Sequence, residues 1–211
     1  LKEGEEPDYS VCPEAEYYNF NKEGGSGYTK IPGDGGWYYE SQFQSGMPDL
    51  NLDCTALRTE IEKIAKFWYD KGIRGYRLDA ALHYYEGNNK KSTEALKWFY
   101  DYAESLDSSN YVVAEVWSDA SALDKFYESG VDSLFNFPYG TSEGYLVLTC
   151  NRAGNGSGGG KFANFVVKRY TNVKAIDSNY IDAVFLGNHD TGRPAGFLKY
   201  NENAVKFGAA L

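Results

Sequence analysis

The 211-residue chain is 42% hydrophobic and 24% charged, with a formal net charge of -9. That is enough apolar content for one sizeable core, without the bias of a disordered or collagen-like polymer. The acidic balance, with no local basic stripe, argues against nucleic acid and anionic membrane surfaces as partners, and no apolar run reaches membrane-spanning length.

Residues 1 to about 55 are rich in Gly, Pro, Asp and Tyr, carry turn signals such as Pro32-Gly33-Asp34-Gly35-Gly36, and show no sustained period. They read as a loop-dominated region. The opening at Leu1, in a Glu-rich stretch, reads as the interior of a longer polypeptide. From Thr55 the texture changes: Leu57, Ile61, Ile64, Ala65 and Trp68 recur at helical spacing and the pattern stops at Gly72, predicting an amphipathic helix over 55–71. A short apolar stretch, Ile73 to Ala80, follows. Then come a helix around Thr93 to Leu106, a strand at Tyr111 to Val116, a helix around Ala120 to Ser129 and a strand at Val131 to Phe137. The Gly-rich run Gly154 to Gly160 lacks both a G-x-G-x-x-G pattern and the Lys-Ser/Thr of a phosphate loop, so it reads as a surface linker. A helix around Phe162 to Thr171, a strand at Ile181 to Leu186 and a last helix from about Asn203 complete the chain. Strand and helix in alternation predict an α/β fold with a parallel sheet. Four strands are about half of a (β/α)8 barrel, which needs eight strands and typically ~250 residues.

In such a barrel, polar residues at the C-terminal strand ends mark the active-site mouth. The first strand ends Gly75-Tyr76-Arg77-Leu78-Asp79. Its two-residue period puts Arg77 and Asp79 on one side, with Tyr76 and Leu78 toward the helices. An adjacent guanidinium favours the ionised carboxylate, the state that a nucleophile requires. The second strand ends in Glu115, flanked by Val116 and Trp117, where desolvation and a nearby carboxylate would raise its pKa and suit a proton donor. The fourth is followed by Gly187-Asn188-His189-Asp190, a polar burst after an apolar run. Two carboxyls about 5 Å apart across a glycosidic bond support a retaining double displacement, and a third carboxylate stabilises the oxocarbenium-like state. Taken singly, each residue also fits a bland role: a structural ion pair for Arg77 and Asp79, a helix cap for Glu115, loop polarity for His189 and Asp190. Aromatic residues, 17% of the chain, suit carbohydrate faces and equally suit a core. Cys12, Cys54 and Cys150 are widely spaced, without a CxxC pair or clustered histidines, and indicate neither a zinc site nor a dense disulfide framework.

Gly75-Tyr76-Arg77-Leu78-Asp79-Ala80-Ala81, Ala114-Glu115-Val116-Trp117 and Phe185-Leu186-Gly187-Asn188-His189-Asp190 resemble the strand-four, strand-five and strand-seven motifs of the alpha-amylase family of glycoside hydrolases. Met47-Pro48-Asp49-Leu50-Asn51 is similar to the motif near the end of that family's domain B, in the form found in members between oligo-1,6-glucosidases and neopullulanases. The resemblance implies that residues 1–54 are the C-terminal part of domain B and that 55–211 are a partial catalytic barrel from helix 3 to helix 7. It implies Asp79 as nucleophile, Glu115 as general acid/base and Asp190 as transition-state stabiliser. By the same match, Arg77 orients the nucleophile, His189 binds the first-subsite sugar, His83 lies beside the acceptor sugar and Trp117 contacts substrate. Leu82 stands where many starch-cleaving members carry Lys, which weakens the case for endo-acting behaviour. Trp37, Tyr38 and Tyr39 offer stacking surfaces or domain B packing.

The implied substrate is an α-glucan or malto-oligosaccharide, with α-1,6-glucosidase or transglycosylase activity as alternatives on one mechanism. No cofactor is required. Calcium, common in the family, is an option through Asp49 and the Asn and Asp residues near it. A non-catalytic relative is disfavoured by the presence of all three carboxylates, and a β-sandwich sugar-binding module by the strand-helix alternation. A half-barrel leaves sheet edges and apolar faces uncovered, so the fragment alone is expected to be inactive without the remaining part of the parent polypeptide.

Overall fold

The computed structural model describes residues 6–33, 35–153 and 157–211. The first five residues, with the opening at Leu1, Asp34 within the turn run 32–36, and 154–156 within the Gly-rich run lie outside the described residues. The chain forms two compact units that part between Ile73 and Arg74.

The first unit holds a 3₁₀ turn, Pro13–Tyr17, and a small antiparallel sheet of β1 (Phe20–Asn21), β2 (Tyr28–Lys30) and β3 (Tyr38–Glu40) in the order β1-β3-β2. Phe20 pairs with Tyr39 and Tyr28 with Glu40. The sequence shows no strand period here because strands of two or three residues are too short to display alternation. Trp37 is buried, with the Lys22 ammonium over its ring at 4.8 Å, so it packs within this unit. Helix α1, Thr55–Asp70, ends where Gly72 takes a φ of +98°, the left-handed stop that glycine adopts without a Cβ clash. Of the predicted apolar stripe, Leu57 and Ala65 are buried, whereas Ile64 and Trp68 are more than half exposed, at 58% and 51%. The spacing fixes the helix, but burial uses only part of the stripe.

The second unit is built on a parallel sheet ordered β4 (Gly75–Leu78), β5 (Tyr111–Ala114), β6 (Ser133–Phe135) and β7 (Ile181–Ala183). Between and after these run α2 (Asn89–Leu106), α3 (Ala120–Lys125) with a 3₁₀ turn Phe126–Ser129, α4 (Tyr145–Ala153), α5 (Gly159–Ile176), α6 (Pro194–Phe197) and α7 (Glu202–Ala210). The alternation expected from the sequence holds, with differences at the ends. Helix α2 starts at Asn89 because the Asn88 side chain accepts the Lys91 N–H at 3.1 Å, an N-cap. Helix α4 is unforeseen: nine residues running into the Gly-rich segment carry too little periodicity to stand out. The fourth strand stops at Ala183, short of the expected Leu186.

Register does the positioning. Arg77 pairs with Val113, Val113 with Ser133 and Ser133 with Ile181, one row across all four strands. Pleating puts Asp79, Glu115 and Phe135 on the same face one step further on. The other face meets the helices: Tyr76 lies edge-on to Phe99 of α2 at 5.4 Å, and Val112, Ala114 and Leu134 are fully buried. Gly75 is required where β4 meets β5, since a Cβ there would lie 2.9 Å from the Tyr111 carbonyl oxygen. Helices α4 and α7 pack around Leu146, Val147, Cys150, Leu198 and Ala204.

The helix-facing side also holds a buried charge cluster. Arg169 of α5 contacts Asp124 of α3 at 2.6 Å and Asp182 of β7 at 3.9 Å, and Asp182 accepts a hydrogen bond from Asn136 at 2.8 Å. Arg169, Asp124 and Asn136 are each at most 5% exposed. Burial pushes both carboxyls above the usual carboxylate range, against the pull of Arg169. Removing one partner of such a pair strands a charge in the interior. Asp124→Ala is therefore expected to lower unfolding free energy by about 3–5 kcal/mol in urea titrations. Asp101→Ala, which removes the exposed Lys97–Asp101 pair, should cost about 1 kcal/mol or less. Equal losses would contradict the cluster's assigned role.

Candidate active site

At the C-terminal end of the parallel sheet, Arg77 lies between two acids. One guanidinium nitrogen donates to Asp79 and another to Glu115, the latter at 2.5 Å. The main chain holds these groups in place. The Glu115 N–H donates to the Leu78 carbonyl at 2.9 Å and the Ala81 N–H to the Glu115 carbonyl at 2.8 Å, extending the β4–β5 ladder past the last strand residues. Between them Ala80 takes the left-handed conformation, φ 46° and ψ 38°. This turns the chain away immediately after Asp79, in a region unfavourable for a residue with a Cβ. The Ala80 N–H also donates to the Glu115 carboxylate.

The two carboxyls differ in environment. The Asp79 side chain is 75% exposed and that of Glu115 only 10%. The hydrogen bond from Arg77 holds Asp79 below the usual carboxylate range, aided by a hydrogen bond with Glu115 and by the nearby charges of Arg77 and His189. Burial raises Glu115, and its hydrogen bond with Asp79 raises it further, against the opposing charge of Arg77. The two shifts run in opposite directions, Asp79 downward and Glu115 upward. For Arg77 itself burial works against the charge, but the bond to Asp79 and the charges of Glu115, Asp79 and Asp190 outweigh it and raise its pKa.

His189 and Asp190 follow β7 and contact each other, His189 Nε2 to Asp190 Oδ2 at 3.1 Å. The Asp190 N–H donates to Asn188 Oδ1 at 3.1 Å and the Asn188 N–H to Thr191 Oγ1 at 3.2 Å, a closed turn that fixes both side chains. The charges of Asp190 and His189 reach Arg77 and Asp79 respectively. Two contact groups thus act on one another electrostatically: Arg77 with Asp79 and Glu115, and His189 with Asp190. His83 stands on the 3₁₀ turn Ala81–His83, with Nδ1 2.7 Å from the Glu86 carboxylate. Trp117 is 47% exposed and stacks on Phe137 at 4.5 Å with an interplanar angle of 17°. A groove of about 1390 Å³ runs between α3 and α5 and includes Trp117 but none of the three acids. Its size follows from helix spacing, whereas the chemistry lies on the sheet's open face.

Sequence reasoning missed four neighbours. The Tyr84 phenol is raised by burial and by the charge of Asp79. Phe135 carries the Arg77 guanidinium at 5.9 Å from its centroid, and Phe185 lies edge-on to both Phe135 and Phe137. Glu86 orients His83. The alternation Phe135-Asn136-Phe137 signalled two aromatic rings on the open face, but a search for acids at strand ends passes over a strand that ends in none. Asp49, the candidate calcium ligand, accepts the Gln42 N–H at 2.6 Å. Among the described residues no three Cys, His, Asp or Glu side chains gather in a metal-binding arrangement.

Comparison with known proteins agrees with this architecture. The chain is similar to alpha-amylase 3 of Dictyoglomus thermophilum, 37% identical over 161 residues that span 76% of this chain and 30% of that protein. Among solved structures it is similar to Amy13B of Eubacterium rectale, with a TM-score of 0.88 and 40% identity, over 97% of this chain and 40% of that one. It is also similar to the alpha-amylase of H. orenii, with a TM-score of 0.74 and 28% identity, over 93% of this chain and 41% of that one. The chain therefore spans less than half the length of each. Strands β4–β7 and their helices are part of a (β/α)8 barrel. With residues 6–210 matched by the alpha amylase catalytic domain, the chain belongs to the alpha-amylase family.

Proposed function

We propose that this chain supplies the catalytic rim of a retaining glycoside hydrolase that cleaves α-glucosidic linkages in starch-derived α-glucans or malto-oligosaccharides. Residues 1–54 would be the end of an inserted domain B, and 55–211 the barrel from helix 3 to helix 7. The observation that carries the reading is the Arg77 bridge between an exposed Asp79, held below the usual carboxylate range, and a buried Glu115, raised above it. Environments that push two carboxyl pKa values apart assign base and acid roles.

In the first step Asp79 attacks the anomeric carbon while Glu115 gives its proton to the glycosidic oxygen, so the leaving glucan departs as an alcohol. A glycosyl ester on Asp79 results. In the second step the Glu115 carboxylate takes a proton from water, the oxygen attacks the anomeric carbon, and Asp79 leaves as carboxylate with the α configuration restored. An acceptor sugar hydroxyl in place of water gives transglycosylation by the same route. Asp190, whose charge acts on Arg77 and which contacts His189, opposes the positive charge that grows on the ring. His189 would hydrogen-bond the first-subsite sugar, with Trp117 and His83 on the acceptor side. Both carboxyls contact the one Arg77 guanidinium, and a retaining mechanism asks for a pair roughly 5 Å apart where an inverting one leaves roughly 6.5–9.5 Å for water. This chemistry calls on no cofactor, and calcium takes no part in its steps.

Two experiments on the full-length protein test the reading. Glu115→Gln should lower kcat on maltotetraose by about 10²–10⁴-fold, and wild-type enzyme should release α-anomers first, as seen by NMR; unaltered turnover or initial β-anomers would refute the assignment. Product analysis on maltotetraose, isomaltotriose and pullulan then separates α-1,4 from α-1,6 preference. In the second, kcat/KM should be bell-shaped in pH, because Asp79 must be ionised and Glu115 protonated. The acid limb should fall below the ordinary carboxylate range and the alkaline limb above it. Arg77 lowers both pKa values, so Arg77→Met should move both limbs upward; limbs that stay in place would contradict the electrostatic role of Arg77.

A further inference from the structure

Arg77 has to satisfy two acids with one planar group, and its side chain is 36% exposed. Ion pairs at such exposure gain little by themselves, because a long side chain loses conformational freedom in making them and water competes. The guanidinium does not stand alone, however. It lies over the ring of Phe135 at 5.9 Å, within the range where a cation is attracted to an aromatic face. A weakly hydrated planar guanidinium stacks on such a face more readily than an ammonium does. Phe135 is in turn held by Phe185, edge-on at 6.2 Å and 85°. Phe185 also meets Phe137 edge-on at 5.2 Å, and Phe137 stacks on Trp117. An aromatic wall thus runs along the ends of β5, β6 and β7, with Arg77 at one end.

The chain neighbours of Phe135, Leu134 of β6 and Asn136 just after that strand, are fully buried, whereas Phe135 lies on the face that carries Arg77, Asp79 and Glu115. We propose that Phe135 is a positioning residue whose ring face fixes the Arg77 guanidinium in the plane from which it bridges Asp79 and Glu115. The inference rests on the glycosidase reading for its effect on turnover but not for its effect on the two carboxyls.

The test compares Phe135→Leu, Phe135→Tyr and Phe135→pentafluorophenylalanine in the full-length protein, with two readouts. The first is the pH profile of kcat/KM on maltotetraose. The second is carbon-13 NMR titration of the Asp79 and Glu115 carboxyls, which needs no turnover. Phe135→Leu should lower kcat/KM by roughly 2- to 30-fold and move both carboxyl titrations upward by roughly 0.5 to 1 on the pH scale. Phe135→Tyr keeps the ring face and should retain both the rate and the titrations. Phe135→pentafluorophenylalanine keeps the volume but reverses the charge of the face; it should behave like Phe135→Leu and provides the test if that variant does not fold. A loss of activity with both titrations unmoved would reduce Phe135 to packing and overturn the proposal, as would an unchanged fluorinated variant. If wild-type protein shows no glycosidase turnover while the titrations still move, the proposed function fails and the role of Phe135 stands.

Discussion

One guanidinium between two carboxylates governs this structure. Asp79 and Glu115 both contact Arg77, and two like charges gathered there repel unless a cation offsets them. Arg77 lowers the pKa of Asp79 while burial raises that of Glu115, so the two acids are pushed apart although they differ little in kind. The difference is encoded in exposure, 75% for one side chain and 10% for the other. Everything else in the second unit serves to present these three groups together: the parallel register of β4 and β5, the left-handed Ala80, and the aromatic rings at the ends of β5 to β7.

The sheet's two faces divide the work in an unusual way. The face toward the helices, expected to be apolar, holds Arg169 with Asp124, Asp182 and Asn136, all but Asp182 almost fully buried. Asn136 also accepts the Tyr139 N–H at 3.1 Å, while its own N–H donates to the Ala183 carbonyl at 3.0 Å. It therefore ties β6, β7 and the start of the following loop at one point. The other face carries Phe135 and Phe185 beside the charged residues. Buried polar contacts thus tie the strand ends from behind, and the Phe135 ring lies against Arg77 on the other face.

The α/β alternation was legible in the sequence because each long helix shows a 3.6-residue stripe or a cap, as at Gly72 and Asn88, and each strand is short and apolar. The charged residues of the site were legible for a related reason: in a parallel sheet, an acid after an apolar run falls on the rim whatever surrounds it. Partner choice was less visible. That Arg77 contacts Glu115 as well as Asp79 depends on the register of two strands separated by helix α2, and no local pattern reports it. The roles of Phe135 and Glu86 were hidden because an aromatic ring and a surface carboxylate are common in any sequence. The three short strands of the first unit left no trace, since pairing across loops, rather than alternation within a strand, defines them.

The bonds that close the β4–β5 ladder, from the Glu115 N–H to Leu78 and from the Ala81 N–H to Glu115, run between main-chain atoms only. The spacing of the two acids is thus insulated from side-chain change in the segment that follows, including Leu82, His83 and Glu86. Evolution, or a protein engineer grafting a different loop after Ala81, has room to redraw the rim while the main-chain link between Asp79 and Glu115 stays the same. On the proposed glycosidase reading, diversity of substrate on a constant reaction would then be a property of the backbone itself.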